Sequence, residues 1–152
     1  MPRLSLGRTY LFYSALIAAL SCSAFAALGG DVGSIQTDQG HMRAQRRVIQ
    51  NAGYAVHEMQ TDSITVVREF VSPAGKVFGI SWHGPTRPDL KQMLGAYYPE
   101  FAQMAPARRG HGPVTIRTPN LVIQSGGHMR ALTGRAYIPA MVPANVRPED
   151  IK

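Results

Sequence analysis

Apolar and polar residues alternate in short bursts along most of this chain, and one segment switches to helical spacing. YAVHEMQ (54–60), ITVVREFV (64–71) and KVFGISWH (76–83) are rich in β-branched and aromatic residues and read as three strands. Leu90, Met93, Leu94, Tyr97 and Phe101 recur at the spacing of one helix face. Thr86-Arg87-Pro88-Asp89 supplies its start, with Thr86 as cap, and Pro99 predicts an end or kink near Tyr98. VTIR (114–117), LVIQS (121–125) and HMRALT (128–133) read as three more strands. Upstream, Thr37 to Asn51 reads as a mostly polar helix with Met42, Val48 and Ile49 on its apolar side.

The turns carry their own chemistry. Ser72-Pro73-Ala74-Gly75 suits a three-residue hairpin loop on a type I turn, with Gly75 accepting positive φ. Pairing Ser72 with Lys76 would set Phe70 beside Phe78 and Val66 beside Trp82. Ile64, Val66, Phe70, Phe78, Ile80 and Trp82 would then share one core face, against Leu90, Leu94 and Tyr97. Gly126-Gly127 reads as a two-residue hairpin loop, which would pair Ser125 with His128 and Ile123 with Arg130. The order of elements predicts an α+β fold: a single small domain with an antiparallel sheet of about six short strands in two hairpin or meander units, packed by one or two helices. Its expected bounds are 37–138, after a flexible leader at 27–36 and before an extended tail at 139–152.

A different pattern precedes that domain. Arg3 and Arg8 form a basic start, Leu11 to Leu20 an apolar run broken by Tyr13 and Ser14, and Ala24-Phe25-Ala26 a small-residue cleavage signal. This order is that of a secretory signal peptide, 1–26, forming a helix and cut between Ala26 and Ala27. The apolar run is shorter than the ~20 residues of a spanning helix, and no transmembrane segment is expected after cleavage. Ala19-Leu20-Ser21 before Cys22 lacks leucine at the position expected for lipidation. Cleavage would remove the sole cysteine and leave 126 residues able to fold without disulfides. The expected location is the periplasm or the extracellular space.

Losing Arg3 and Arg8 would lower the Lys+Arg count from 16 to 14 against 9 Asp+Glu, a net charge of +5. That balance suits an anionic envelope component or an envelope protein as partner. Arg108 and Arg109, in a polar loop, are the best surface contacts for such material. No basic, aromatic-rich strand resembles a nucleic-acid platform, and no nucleic acid is expected. No cofactor is expected either.

VVREFVSPAGKVFGISWHGPTRPDLKQMLGAYYP, RRGHGPV and LVIQSGGHMRALTGRAYIP together resemble an exported proteobacterial family, domain of unknown function 2844. The similarity runs from ALGG to AYIP. It implies export and a single domain, and carries over no activity, ligand or catalytic residue.

Candidate chemistry is sparse. His41, His57, His83, His111 and His128 form none of the HxH, HxxxH or HExxH spacings that bring two imidazoles together, so no metal site is expected. Ser125 and His128 are the weak candidates for a nucleophile and its base, but no acid lies within 101–148 to orient the histidine. Glu58, Glu69, Glu100 or another acid distant in sequence would have to supply it. Asp62, Glu58 and Glu69 share a hairpin region, with Glu69 on the side away from Ile64 and Val66. Two arginines sit on predicted apolar faces: Arg68 between Val66 and Phe70, and Arg130 opposite Ile123. A buried guanidinium needs a partner, either a structural acid or the carboxylate or phosphate of a ligand. The leading expectation is a small non-catalytic binding or interaction module of the envelope. The alternatives are a periplasmic hydrolase with its site near Ser125 and His128, or a periplasmic small-molecule or metal binder.

The small residues Ala24 and Ala26 predict Ala27 as the mature N-terminus. N-terminal sequencing of the exported protein checks this; a chain beginning at a modified Cys22 would contradict it.

Overall fold

The computed structural model describes residues 28–105 and 112–152, so the expected signal peptide and Arg108, Arg109 and His111 lie outside the described residues. Seven strands form one antiparallel sheet: β1 (Gln45–Asn51), β2 (Tyr54–Gln60), β3 (Val66–Val71), β4 (Val77–Gly84), β5 (Val114–Arg117), β6 (Val122–His128) and β7 (Ala131–Tyr137). Their order across the sheet is β1-β2-β3-β4-β7-β6-β5. Two meanders, β1–β4 and β5–β7, are thus joined along the β4–β7 pair. Helices α1 (Ile35–Met42), α2 (Leu90–Leu94) and α3 (Tyr98–Met104) complete the α+β fold.

The seventh strand is β1, which the sequence pattern assigned to a helix running to Asn51. That helix stops at Met42, where Arg43 takes a left-handed conformation (φ 48°) as its C-cap. Val48 and Ile49 are β-branched and pair with His57 and Val56 across the Ala52-Gly53 turn. Sheet pairing outweighs the weak helical pattern there.

The Ser72–Gly75 loop forms as expected, with the Ser72 N–H donating to the Lys76 carbonyl at 2.9 Å and Gly75 at φ 73°. Beyond it the register slips. Val71 pairs with Val77, but Phe70 pairs with Gly79, leaving Phe78 as the extra residue of a β-bulge. A one-residue slip sends side chains to the opposite side. Trp82 therefore pairs with Val67, and the expected single core face divides in two. Val67, Val71, Ile80 and Trp82 pack toward Ile35, Met93 and Leu94 of the helices, where Leu90 and Tyr97 join them. Phe70 and Phe78 lie on the other side, with Val122, Tyr137, Val146 and Ile151. Trp82, Phe70 and Phe78 are all buried. Ile64, expected in the core, is 67% exposed, in a left-handed turn at φ 56°.

Both flanks of the domain take part in this packing. Leu28 is buried, the Gly29 N–H donates to the Val77 carbonyl at 2.8 Å, and Asp31 bridges to Lys76. The segment read as an extended tail instead forms 3-10 turns at Pro139–Met141 and Pro148–Asp150, and buries Val146 and Ile151 on the sheet. The sheet is thus covered on one side by helices and on the other by residues 139–152.

The helical segment also differs in detail. Asp89 caps α2 by accepting from the Lys91 N–H at 2.8 Å, while Thr86 bonds the Thr65 hydroxyl. Pro99 sits in the first turn of α3, where a missing N–H is harmless, so it begins a helix instead of ending one.

The largest correction concerns Gly126-Gly127. Both lie inside β6, and the turn falls at Met129-Arg130, with His128 paired to Ala131 and Arg130 at φ 65°. Ile123 faces Ala136, and Met129 is 89% exposed. The hairpin expected from the glycines would have placed Arg130 opposite buried Ile123; the observed register buries Ala136, Tyr137 and Ile138 instead. Gly127 has φ 109°, and a Cβ there would run into the Ala131 carbonyl. At Gly134 a Cβ would occupy the space of the Trp82 indole, which crosses this glycine from the neighbouring strand.

Trp82→Ala is expected to cost about 3–5 kcal/mol, as for other truncated core aromatics. Gly134→Ala should cost about 1–3 kcal/mol by overpacking against the same ring. Urea unfolding of both proteins checks these values, and for Gly134→Ala the fluorescence of the lone tryptophan should also shift because the ring must move.

Candidate functional site

The sheet register gathers polar side chains into one transverse row on the side covered by the tail. Arg47 pairs with Glu58, Glu58 with Arg68, Arg68 with Ser81, Ser81 with Arg135, Arg135 with Gln124, and Gln124 with Thr115. All seven strands contribute one residue. The neighbouring row on the same side is apolar and holds Val56, Phe70, Tyr137 and Val122.

Within the polar row Glu58 serves two arginines. Arg68 Nε donates to Oε2 at 2.7 Å, and Arg47 Nε to Oε1 at 2.7 Å. Burial alone would raise the Glu58 pKa, but the hydrogen bonds and charges of Arg68 and Arg47 outweigh it and hold the carboxyl below its ordinary value. Arg68 Nη1 also donates to the Lys152 main-chain oxygen at 3.1 Å. Arg135 is held by neutral groups: its Nε donates to Gln124 Oε1 at 2.8 Å and its Nη1 to the Pro148 carbonyl at 2.6 Å. The two arginines thus pin both ends of the last tail segment to the sheet. Ser81, in register between them, is 2% exposed, and its hydroxyl has no hydrogen-bond partner among the described residues.

Where the tail stops covering the sheet, an open groove of about 480 Å³ remains. Arg68, Ser81, Arg135, Gln124, Val114 and Ile151 are among the residues lining it.

A second polar assembly lies under the helices. Asp38 of α1 and Glu69 of β3 are each 1% exposed, and Gln92 of α2 donates to Asp38 Oδ1 at 2.6 Å. Burial raises the Asp38 pKa, against the hydrogen bonds from Gln92 and Glu69 and the charge of His41. Burial raises that of Glu69 much further, reinforced by the charge of Asp38 and the hydrogen bond between the two carboxyls; Arg46 opposes this weakly. A proton retained on one of the two carboxyls relieves the repulsion between them. His57, across from Glu69 in the register, is buried with Nδ1 unpartnered, and burial followed by the charge of Arg46 lowers its pKa.

The structure distributes the sequence-derived candidates unevenly. Arg68 joins the polar row and has the structural acid, Glu58, as partner. Arg130 occupies the β6–β7 turn, exposed and away from Ile123. Ser125 pairs with Gly134 and Val114, while His128 lies three residues further along the same strand and so points to the other side of the sheet. Among the described residues no acid lines the cleft of about 550 Å³ that holds His128, where Arg87, Arg130 and Met129 are found. No cluster of three His, Asp or Glu suited to a metal occurs among the described residues, and none of their helices is long and apolar enough to cross a membrane. Arg135, Ser81 and Asp38 escaped the sequence reading. The signal for the first two was present in the alternation Arg135–Tyr137 and Ser81–His83, but it acquires meaning only once the β4–β7 register is known.

The profile of the family described as protein of unknown function (DUF2844) matches residues 24–151. No curated protein and no solved structure matches the chain.

The buried carboxyls predict a pH dependence. A folded-state pKa raised above the ordinary glutamate value of 4.5 means that the folded protein binds more protons than the unfolded chain above that pH. Stability from Glu69 is therefore full below pH 4.5 and falls as pH rises through the raised value. Glu69→Gln should flatten this fall and be more stable than the parent on the alkaline side. Urea unfolding at a series of pH values checks it; parallel profiles for the two proteins would contradict the retained proton.

Proposed function

This chain belongs to the DUF2844 family, and we propose that it is a small exported envelope protein acting as a non-catalytic binding module through the groove on the tail-covered side of its sheet. The groove carries the reading: it is concave, open, and flanked by two arginines on rigid strands. A signal-peptide pattern at residues 1–26 supports export, and a net charge of +5 after cleavage supports an anionic component of the envelope as partner. The separation of Ser125 from His128 argues against the hydrolase, because a nucleophile and its base must lie within hydrogen-bond reach.

Envelope fractionation should recover the protein outside the cytoplasm. In cells lacking the native copy, Ser125→Ala should restore the parental phenotype, whereas Thr133→Trp, which fills the groove from an exposed position, should not. Failure of a stably folded Ser125→Ala protein would transfer the reading to a hydrolase.

A further inference from the structure

We propose that the groove is a site for a free small amphiphilic oxyanion, whose carboxylate or phosphate head sits against Arg135, Ser81 and Arg68 while its apolar body lies along Pro113 and Ile151. This assignment rests on the binding-module reading and names the ligand class it leaves open.

Three observations converge on the head-group position. First, Arg135 is half-buried and contacts only an amide oxygen and a main-chain carbonyl, and no carboxylate lies within ion-pair distance of it among the described residues. A guanidinium has five N–H donors, and these contacts occupy two. Second, Arg68 shares the single charge of Glu58 with Arg47, so that trio retains one positive charge. Third, Ser81 lies in register between the two arginines and is among the residues lining the groove, and its hydroxyl is buried with no partner among the described residues. Buried hydroxyls normally find a partner. An oxyanion can accept from the hydroxyl and from both guanidiniums at once, and charge-assisted bonds of this kind are among the strongest available.

The remaining side-chain charges around the groove cancel. Glu149 and Lys152 at its rim are exposed and opposite in charge, and Arg147 and Asp150 pair with each other at 3.0 Å. Away from the arginines the lining includes Pro113, Gly126 and Ile151, which offer carbon and few donors. The volume, about 480 Å³, is that of a small-molecule site.

Isothermal titration and amide chemical-shift mapping of the mature chain with octanoate, octyl phosphate and octyltrimethylammonium test the proposal. At least one of the two anions should bind and shift Ser81, Gln124 and Arg135, and the cation should not. Arg135→Gln should weaken anion binding by about tenfold or more. Because Arg135 also pins Pro148, Thr133→Glu is the decisive second variant: it adds repulsion at the exposed mouth while leaving both arginine contacts intact, and it should weaken binding similarly. Absence of shifts with both anions, or an unchanged Kd in folded Thr133→Glu, would overturn the site. If the anions fail while Thr133→Trp still abolishes the cellular phenotype, the ligand class is wrong and the binding module stands. If the anions bind but the protein fractionates with the cytoplasm, the site stands and the envelope reading fails.

Discussion

The crossing of Trp82 over Gly134 is the contact on which the rest of this architecture depends. The two residues are partners in the strand pair that joins the two meanders, and the indole occupies the space of any side chain at residue 134. A neighbour with a Cβ would force the ring away, so glycine at this position selects one β4–β7 register. That register places Ser81 beside Arg135 and, through β6, Ser125 beside Gly134. A packing requirement in the core thus determines which polar groups meet on the opposite side of the sheet.

The bulge at Phe78 performs the complementary task. By shifting the pairing between Phe70 and Val71, it lets β4 send Phe78 to the tail side and Trp82 to the helix side. Each side of the sheet then owns an apolar cluster, and residues 139–152 become a structural layer. The two polar assemblies are handled differently. On the tail side, Glu58 pairs with two guanidiniums at the margin of solvent, where the charged forms are favoured. Under the helices, Asp38 and Glu69 are too deeply buried for two charges, and a retained proton resolves the conflict.

The sequence was most legible where signals were local. Strand periodicity located six of the seven strands, and the Ser72–Gly75 turn residues predicted their own hairpin. The fold class followed from element order alone. What could not be read was register, because it depends on contacts between distant strands. Gly126-Gly127 has the composition of a hairpin loop, yet Gly127 serves a positive φ and a close approach to the Ala131 carbonyl inside a strand. The turn falls instead on Met129-Arg130, which has no favoured turn chemistry, because burial of Ala136, Tyr137 and Ile138 outweighs it. At the candidate site, Arg68 was legible as a cation on an apolar strand needing an acid. Arg135 and Ser81 were not, since each has ordinary neighbours in its own strand. The polar row exists only across strands.

Cross-strand NOEs in the NMR spectrum of the protein test that register most directly. Contacts between Ser81 and Arg135 and between Ser125 and Gly134 are predicted, with none pairing Ser125 to His128. A Ser125–His128 cross-strand contact would contradict the account, since it would restore the glycine hairpin and dissolve the polar row on which the groove is built.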